Sequence, residues 1–208
     1  MGASVCICGR DASRLDAAAA ELRGDGGKIA PVRADVSRAS DIRALVDSAQ
    51  RELGPIDILI NNAGIGSFGP VHQMTEADWD VVLDTNLKSV FLVSNAIVPS
   101  MIERKRGHII NIGSLAGKNA FANGGIYCAS KWGLMGLSAC MAEDWRDYGI
   151  RVSTVCPGSV ATDFSPHTGR DISKMLQPDD VAHAVETILT QASQSFISEI
   201  DIRPAVKP

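Results

Sequence analysis

Short apolar runs alternate with helical segments from one end of this chain to the other, and this alternation restricts the fold more than any other feature. The β-prone runs are SVCIC, KIAPVRADV, IDILI, HIINI, IRVSTV and FISEIDI. Strands separated by helices require right-handed crossovers, so the sequence predicts an α/β fold with a mostly parallel sheet covered by helices on both faces. Because we find no repeat, linker or low-complexity tract, we expect one domain over residues 1–208.

Charge, cysteine spacing and hydropathy argue against several classes of function. The net charge is only −4, and the four histidines and five cysteines are not arranged at ligand spacing. We therefore expect neither nucleic-acid binding nor a metal site. No continuous apolar run approaches the roughly 18 residues of a membrane span, and the first residues lack the basic start of a signal peptide. We expect no membrane partner, a cytoplasmic location, and cysteines that are small buried thiols.

Small or polar residues follow the predicted strands at the point where each strand ends. These segments are Gly9-Arg10-Asp11, Asp35-Val36, Asn61-Asn62-Ala63-Gly64, Gly113-Ser114 and Cys156-Pro157-Gly158. In a parallel α/β sheet, ligands bind beyond the carboxyl ends of the strands. Five such ends predict an extended ligand that lies across the sheet.

Tyr127 and Lys131 lie four residues apart in the stretch IYCASKWGL, so a helix places both side chains on one face. A phenol has a pKa near 10. A nearby ammonium favours the phenolate and brings that pKa closer to the range in which general acid–base catalysis works. The spacing alone also fits an accident on an amphipathic helix.

Two further polar residues bear on this choice. Ser114 ends the strand that precedes the helix of Tyr127, where its hydroxyl could hold a carbonyl oxygen beside the phenol. Asn86 lies in the apolar stretch VVLDTNLKSVFLV and needs a partner if it is buried. It could equally be a surface residue, or mark a helix break whose backbone binds water.

The chain resembles the short-chain dehydrogenases/reductases over essentially its whole length. The matching motifs, in the order and spacing of that family, are DV at 35–36, NNAG at 61–64, TN at 85–86, GS at 113–114, YCASK at 127–131 and PGSVAT at 157–162. The resemblance implies a Rossmann-like, doubly wound parallel sheet. It also implies hydride transfer between a nicotinamide cofactor and a small-molecule carbonyl/alcohol pair.

The resemblance also assigns the catalytic roles, which fall on Asn86, Ser114, Tyr127 and Lys131. Tyr127 would give a proton to the carbonyl oxygen or remove it in the alcohol direction. Lys131 would lower the pKa of Tyr127 and hold the ribose hydroxyls of the nicotinamide. Ser114 would orient the substrate oxygen, and Asn86 would fix a water that links Lys131 to a proton relay.

The remaining cofactor contacts implied by the resemblance lie at the strand ends. Besides Tyr127 and Lys131, they are Arg10, Asp35, Val36, Asn61, Ala63, Gly64, Pro157, Gly158, Val160 and Thr162. Arg10 follows the strand where family members read the adenosine ribose, and an arginine there suits a 2′-phosphate. It favours NADP(H) over NAD(H). Asp11 argues against this choice unless it only caps the next helix.

The resemblance breaks at the start of the chain. The family begins with a strand, a Gly-rich turn of the T-G-x-x-x-G-x-G type and a helix, and this chain opens at what resembles the second strand. The turn normally cradles the pyrophosphate through backbone N–H groups. We expect Met1 to be an internal methionine of a longer reading frame, or the chain to be trimmed. The missing strand is central in the family order 3-2-1-4-5-6-7, so its neighbours would either expose their edges or pair directly.

Three functions follow from these patterns. The first is an active reductase that uses NADP(H), acting on 3-oxoacyl or similar keto substrates. The second is a truncated chain that cannot hold the dinucleotide and acts as a binding or assembly partner. The third, a merely structural domain, fits the complete Asn/Ser/Tyr/Lys set poorly. The long helical regions near 76–105 and 124–148 resemble those that pair family subunits, which implies a homodimer or homotetramer.

Overall fold

The computed structural model describes residues 2–24, 27–164 and 171–208. Strands and helices alternate along these residues. The strands are β1 (Val5–Gly9), β2 (Ile29–Arg33), β3 (Ile58–Asn61), β4 (Gly107–Ile112), β5 (Ile150–Pro157) and β6 (Glu199–Ile202). The α-helices are α1 (Ala12–Arg23), α2 (Ala39–Leu53), α3 (Glu76–Leu83), α4 (Ser89–Arg104), α5 (Gly125–Trp145) and α6 (Pro178–Leu189).

All strand pairs are parallel, and they form two sheets. One sheet contains β1 and β2, and the other has the order β3-β4-β5-β6. In the larger sheet Ile110 of β4 lies opposite Ile60 of β3 and Ser153 of β5. The predicted α/β, Rossmann-like class is confirmed.

The edges of β1 and β3 that lack a hydrogen-bonded partner separate the two sheets. Within the described residues β1 pairs only with β2, and β3 pairs only with β4. Val5, Ile58 and Ile60 are 38%, 43% and 44% exposed, although they lie on strands that would be central in a continuous sheet. The sequence left two outcomes open for β1 and β3, namely exposed edges or direct pairing with each other. The structure shows exposed edges.

Helices cover both faces of the larger sheet. Since successive side chains of a strand point to opposite faces, neighbouring residues of β4 enter different core clusters. Ile109 faces a core cluster with residues of α2, α4 and α5, among them Ile42, Ile97 and Met141. Ile110, its neighbour, faces the opposite cluster with Ile188 of α6. Helix α2 also packs on β1 and β2, so it links the two sheets.

The long helical region near 76–105 is interrupted at Asn86, and a helix break was one of the alternatives that the sequence left open for this residue. A π-helical turn, Asp84–Lys88, separates α3 from α4. By length and composition alone, the stretch Glu76–Arg104 could cross a membrane. The sequence did not indicate this span, because the expectation rested only on uninterrupted apolar runs. In this fold, however, Val93, Ile97 and Met101 of α4 pack in the core, as expected for a core helix.

The cysteines differ in part from expectation. The expected buried thiols are found at Cys128 and Cys156, whereas Cys8 and Cys140 are exposed, so that prediction is wrong for these two.

In the segment after β5 a parallel bridge joins Val160 to Leu176. Residues 165–170 of that segment lie outside the described residues.

Candidate active site

Tyr127 lies in the first turn of α5, and only 9% of its surface is exposed. Burial raises the pKa of the phenol above its ordinary value of 10.0, and an interaction with the Ser114 side chain opposes that shift. The phenol therefore stays protonated through the neutral range, with a hydroxyl beside it.

Ser114 reaches this position because β4 ends beside the start of α5. Its hydroxyl accepts a hydrogen bond from the Ala116 backbone N–H at 3.1 Å and so caps the short 3₁₀ turn Leu115–Gly117. The same side chain interacts with Tyr127. The strand end and the first helical turn thus converge on one place, as we expected from their order in the sequence.

Lys131 lies one helical turn after Tyr127 and is 5% exposed. Its ammonium donates a hydrogen bond to the Ile112 backbone oxygen at 2.8 Å and lies 5.9 Å from the centroid of the Tyr127 ring. Burial lowers the pKa of Lys131 to about 8. In this arrangement burial raises the pKa of Tyr127, whereas the sequence predicted that Lys131 would lower it. The Lys131 ammonium bonds the Ile112 oxygen and not the phenol.

Asn86 is buried inside the π-helical turn and is 1% exposed, so it is not a surface residue. Its amide oxygen accepts from the Ile65 N–H at 2.8 Å, and its amide nitrogen donates to the Ile65 oxygen at 2.9 Å. The same nitrogen donates to the Ser130 hydroxyl at 3.0 Å. Asn86 therefore fastens the loop after β3 to the helix that carries Tyr127 and Lys131.

Replacing Asn86 with Leu should lower the free energy of unfolding by about 2–5 kcal/mol, because the peptide groups of Ile65 lose their partners and stay partly buried. Urea denaturation followed by circular dichroism measures the change. Asn95→Leu is the matched control, since Asn95 is exposed on α4. Equal stability of the two variants would contradict the role given to Asn86.

The carboxyl ends of β1 and β2 bring Arg10 and Asp35 close together. Hydrogen bonds from the Ser37 side chain hold the pKa of Asp35 below its ordinary value, and the Arg10 charge acts in the same direction. Asp11 accepts a hydrogen bond from the Arg14 N–H at 3.0 Å and caps α1. The acidic residue beside Arg10 is thus a helix cap, one of the two roles that the sequence left open for it.

The residues after β3 approach Lys131. The Asn61 amide nitrogen donates to the Asn111 side-chain oxygen at 2.8 Å and so joins β3 to β4. A β-carbon on Gly64 would lie 3.9 Å from the Lys131 nitrogen, so the Gly64 backbone runs past the ammonium. Ala63 precedes it in the same loop, and Val36 follows Asp35 after β2.

The segment after β5 forms the other side of this region. Pro157 ends β5, and the Gly158 N–H donates to the Ile202 oxygen at 2.8 Å. A β-carbon on Gly158 would lie 3.3 Å from Leu115, next to Ser114. Val160 is held by its bridge to Leu176, and Thr162 accepts a hydrogen bond from the Phe164 N–H at 3.4 Å.

Sequence reasoning missed the polar side chains that support the site. Ser130 accepts from Asn86 and donates to the Tyr127 backbone oxygen at 2.7 Å. Asn111 links Asn61 to Ser138, to whose hydroxyl it donates at 2.8 Å. A usable signal was present for Asn111, since it is an amide within the apolar strand run HIINI.

The chemistry of these donors fits a nicotinamide dinucleotide. A Lys ammonium has three donors, and the Ile112 oxygen takes one, which leaves two for the hydroxyls of a ribose. Asn61, Gly64, Pro157 and Gly158 lie at strand ends, where a dinucleotide crosses an α/β sheet.

Comparisons with known proteins show the family of the chain. The pattern of the short chain dehydrogenase family matches residues 1–173. A sepiapterin reductase of Chlorobaculum tepidum is 35% identical over 199 residues, which cover 95% of this chain and 82% of that protein. An inactive 2-(S)-hydroxypropyl-CoM dehydrogenase 2 of Xanthobacter autotrophicus is 37% identical over 205 residues, which cover 91% and 88%.

Solved structures of short-chain oxidoreductases are also similar to this chain. A metagenomic short-chain oxidoreductase in complex with NADP is 43% identical to this chain and superposes with a TM-score of 0.87, covering 99% of this chain and 87% of that chain. Because the family pattern spans more than half of the chain and these relatives align over most of it, the chain belongs to the short chain dehydrogenase family of oxidoreductases.

Proposed function

We propose that this chain interconverts a ketone and a secondary alcohol by hydride transfer with NADP(H). The observation that carries the proposal is the convergence of Ser114, Tyr127 and Lys131 where β4 ends and α5 begins. A buried acid, a hydroxyl and a cation at one strand end form a site that can polarise and protonate a carbonyl oxygen.

Each residue has a separate part in the reduction. The cofactor, when bound, supplies the hydride to the carbonyl carbon. Ser114 donates a hydrogen bond to the carbonyl oxygen and orients it towards Tyr127. Tyr127 gives its phenolic proton to that oxygen, and the Lys131 charge stabilises the phenolate that remains. Tyr127 holds its proton before it acts, because burial raises the pKa of the phenol.

The finer choice of keto substrate starts from the resemblance. Similarity to 3-oxoacyl reductases makes 3-oxoacyl thioesters the first members of a substrate panel, together with simple ketones. The test is consumption of NADPH by the purified chain with each panel member. Turnover of at least one ketone supports the proposal, and a chain that binds NADPH but reduces none of them argues against it.

Arg10 should select the cofactor. Replacing it with Ala should raise the Kd of NADPH by about 10- to 100-fold through loss of a charge-assisted hydrogen bond, with little effect on NADH. Fluorescence titration with both cofactors measures this. Arg14→Ala is the control, because Arg14 is exposed on α1. Equal weakening of both cofactors by Arg10→Ala would refute the assignment.

A second candidate function has an observation of its own. The open edges of β1 and β3 expose the apolar side chains of Val5, Ile58 and Ile60. A chain with such edges could act as a non-catalytic binding or assembly partner instead. Cofactor titration separates the two candidates, since this second function requires a folded chain that binds neither NADPH nor NADH.

Assembly into a homodimer or homotetramer belongs to the proposal. An open, mostly apolar groove lies between α5 and the start of α4 and is lined by Leu87, Phe91, Gly133 and Leu137. Phe91 is 46% exposed, and Trp132 on α5 is 53% exposed. Large exposed apolar side chains on two long helices favour pairing of subunits through this face.

A further inference from the structure

Two phenylalanines from separate loops lie against the ring of Tyr127, and a third packs on one of them. Phe68 follows β3, Phe121 precedes α5, and Phe164 follows β5. The Tyr127 ring centroid lies 5.5 Å from that of Phe68 and 5.6 Å from that of Phe164, and Phe68 lies 6.2 Å from Phe121. We call Phe68, Phe121 and Phe164 the aromatic wall.

The rings of the aromatic wall remain open to solvent around a buried acid. Phe68 and Phe164 are each 40% exposed and Phe121 is 48% exposed, whereas Tyr127 is 9% exposed. Covering apolar surface of this kind is favourable, and apolar patches beside a few polar groups typically mark ligand sites. The wall is therefore placed to cover the part of a substrate that adjoins its reacting carbonyl.

Glycines allow the rings to pack closely against the backbone. A β-carbon on Gly66 would lie 2.5 Å from Phe68 and 3.1 Å from Phe164, and one on Gly124 would lie 2.5 Å from Phe121. Any larger residue at these two positions would push the rings away from their places. The backbone beside Tyr127 is thus matched to aromatic side chains.

The charge after Ser114 does not favour an anionic substrate group. Lys118 follows the short turn that Ser114 caps, and its ammonium is bonded to Glu199 and, at 2.6 Å, to Asp201. Two carboxylates neutralise this cation, so its charge is not available to a carboxylate or phosphate of the substrate.

We propose that the aromatic wall binds an aromatic ring attached to the substrate carbonyl, so that aryl ketones and the matching benzylic alcohols are the preferred substrates. The inference rests on the proposed function, since it names the substrate class of the same site. It ranks aryl ketones ahead of unbranched 3-oxoacyl chains.

The reason lies in ring geometry. Aromatic rings prefer tilted or offset neighbours with centroids 4.5–7 Å apart, and Phe68 already lies within this range of both Phe121 and Tyr127. A planar aryl group can make such contacts with Phe68 and Phe164 while its carbonyl oxygen reaches Tyr127. A saturated ring of similar size buries comparable apolar area but lacks the attraction between aromatic rings.

The experiment compares acetophenone with cyclohexyl methyl ketone. The aryl preference is the kcat/KM for acetophenone divided by that for cyclohexyl methyl ketone. It is measured in wild type, in Phe68→Leu and in Phe164→Leu. Comparing it between variants cancels the intrinsic reactivity of the two carbonyls. Each Leu variant should lower the aryl preference, by up to about tenfold. The control is Phe196→Leu, because Phe196 is also 40% exposed and lies just before β6, outside the wall. An unchanged ratio in both wall variants overturns the inference.

A binding measurement separates this inference from the proposed function. Ligand-observed NMR titration of acetophenone, with and without NADP⁺, reports on the wall without hydride transfer. Binding that both wall variants weaken and Phe196→Leu does not would support the inference even if no ketone is reduced, in which case only the proposed function fails. Turnover without such a difference, or no binding of acetophenone, overturns the inference.

Discussion

Replacing Tyr127 with Phe should lower kcat/KM for ketone reduction by about 10²- to 10⁴-fold and leave the Kd of NADPH within about twofold. The variant loses only the hydroxyl that gives up its proton. The contacts of the ring with Phe68 and Phe164, at 5.5 and 5.6 Å, remain possible. Steady-state kinetics and cofactor fluorescence measure the two quantities on the same protein.

The matched control is Tyr148→Phe, which changes the one other tyrosine of the chain. Tyr148 is 47% exposed in the short turn that follows α5, away from Ser114 and Lys131. Its loss should leave kcat/KM unchanged. If Tyr127→Phe retained more than a small fraction of wild-type kcat/KM, a different group would have to supply the proton.

Replacing Lys131 with Met should reduce kcat/KM by about 10²-fold or more without destabilising the fold. Methionine fills much of the same volume and removes a charge that burial disfavours. It also removes the cation that stabilises the phenolate of Tyr127 and the donors left for the cofactor ribose. We therefore expect kcat/KM to fall while the free energy of unfolding does not, because functional groups are often buried at a cost to stability.

The pH dependence of the wild type gives the same residue a second test. Burial lowers the pKa of Lys131 to about 8, so kcat/KM should fall as the pH rises through that value and the ammonium loses its proton. Between about pH 8 and the ordinary pKa of 10.5, the unfolded chain holds this proton and the folded chain does not. The contribution of Lys131 to folding stability therefore increases with pH across that window.

Urea denaturation at several pH values should show this increase in wild type and lack it in Lys131→Met. The exposed Lys207 offers a matched control, since Lys207→Met should keep both the wild-type pH profile and its stability. Wild-type kcat/KM in the Lys131→Met variant, or a wild-type profile without a decline above pH 8, would contradict the role of Lys131.

Periodicity made the architecture predictable. Ile109 and Ile110 are neighbours in an apolar run and face opposite core clusters, as a buried parallel strand requires. A helix break at Asn86 was one of the alternatives that its polar side chain in an apolar helical region left open, and a π-helical turn lies there. The motifs of the family resemblance could be identified because their order and spacing are specific.

Other features depend on packing that no local pattern contains. The direction of the Lys131 ammonium, towards the Ile112 oxygen, follows from its burial and not from its spacing to Tyr127. The aromatic wall joins Phe68, Phe121 and Phe164, which are far apart in the sequence and come from three loops. The exposed edges of β1 and β3 could not be predicted from the sequence either, because direct pairing of these two strands was equally compatible with it.

The most direct test of the catalytic centre is transfer of deuterium to a ketone from NADPH that carries deuterium at both hydrogens of the nicotinamide C4. Mass spectrometry of the alcohol product should find one deuterium at the carbinol carbon with the wild-type chain and with Tyr148→Phe. It should find almost none with Tyr127→Phe over the same time. Product without deuterium at that carbon, or equal labelling by the Tyr127 variant, would contradict hydride transfer assisted by Tyr127.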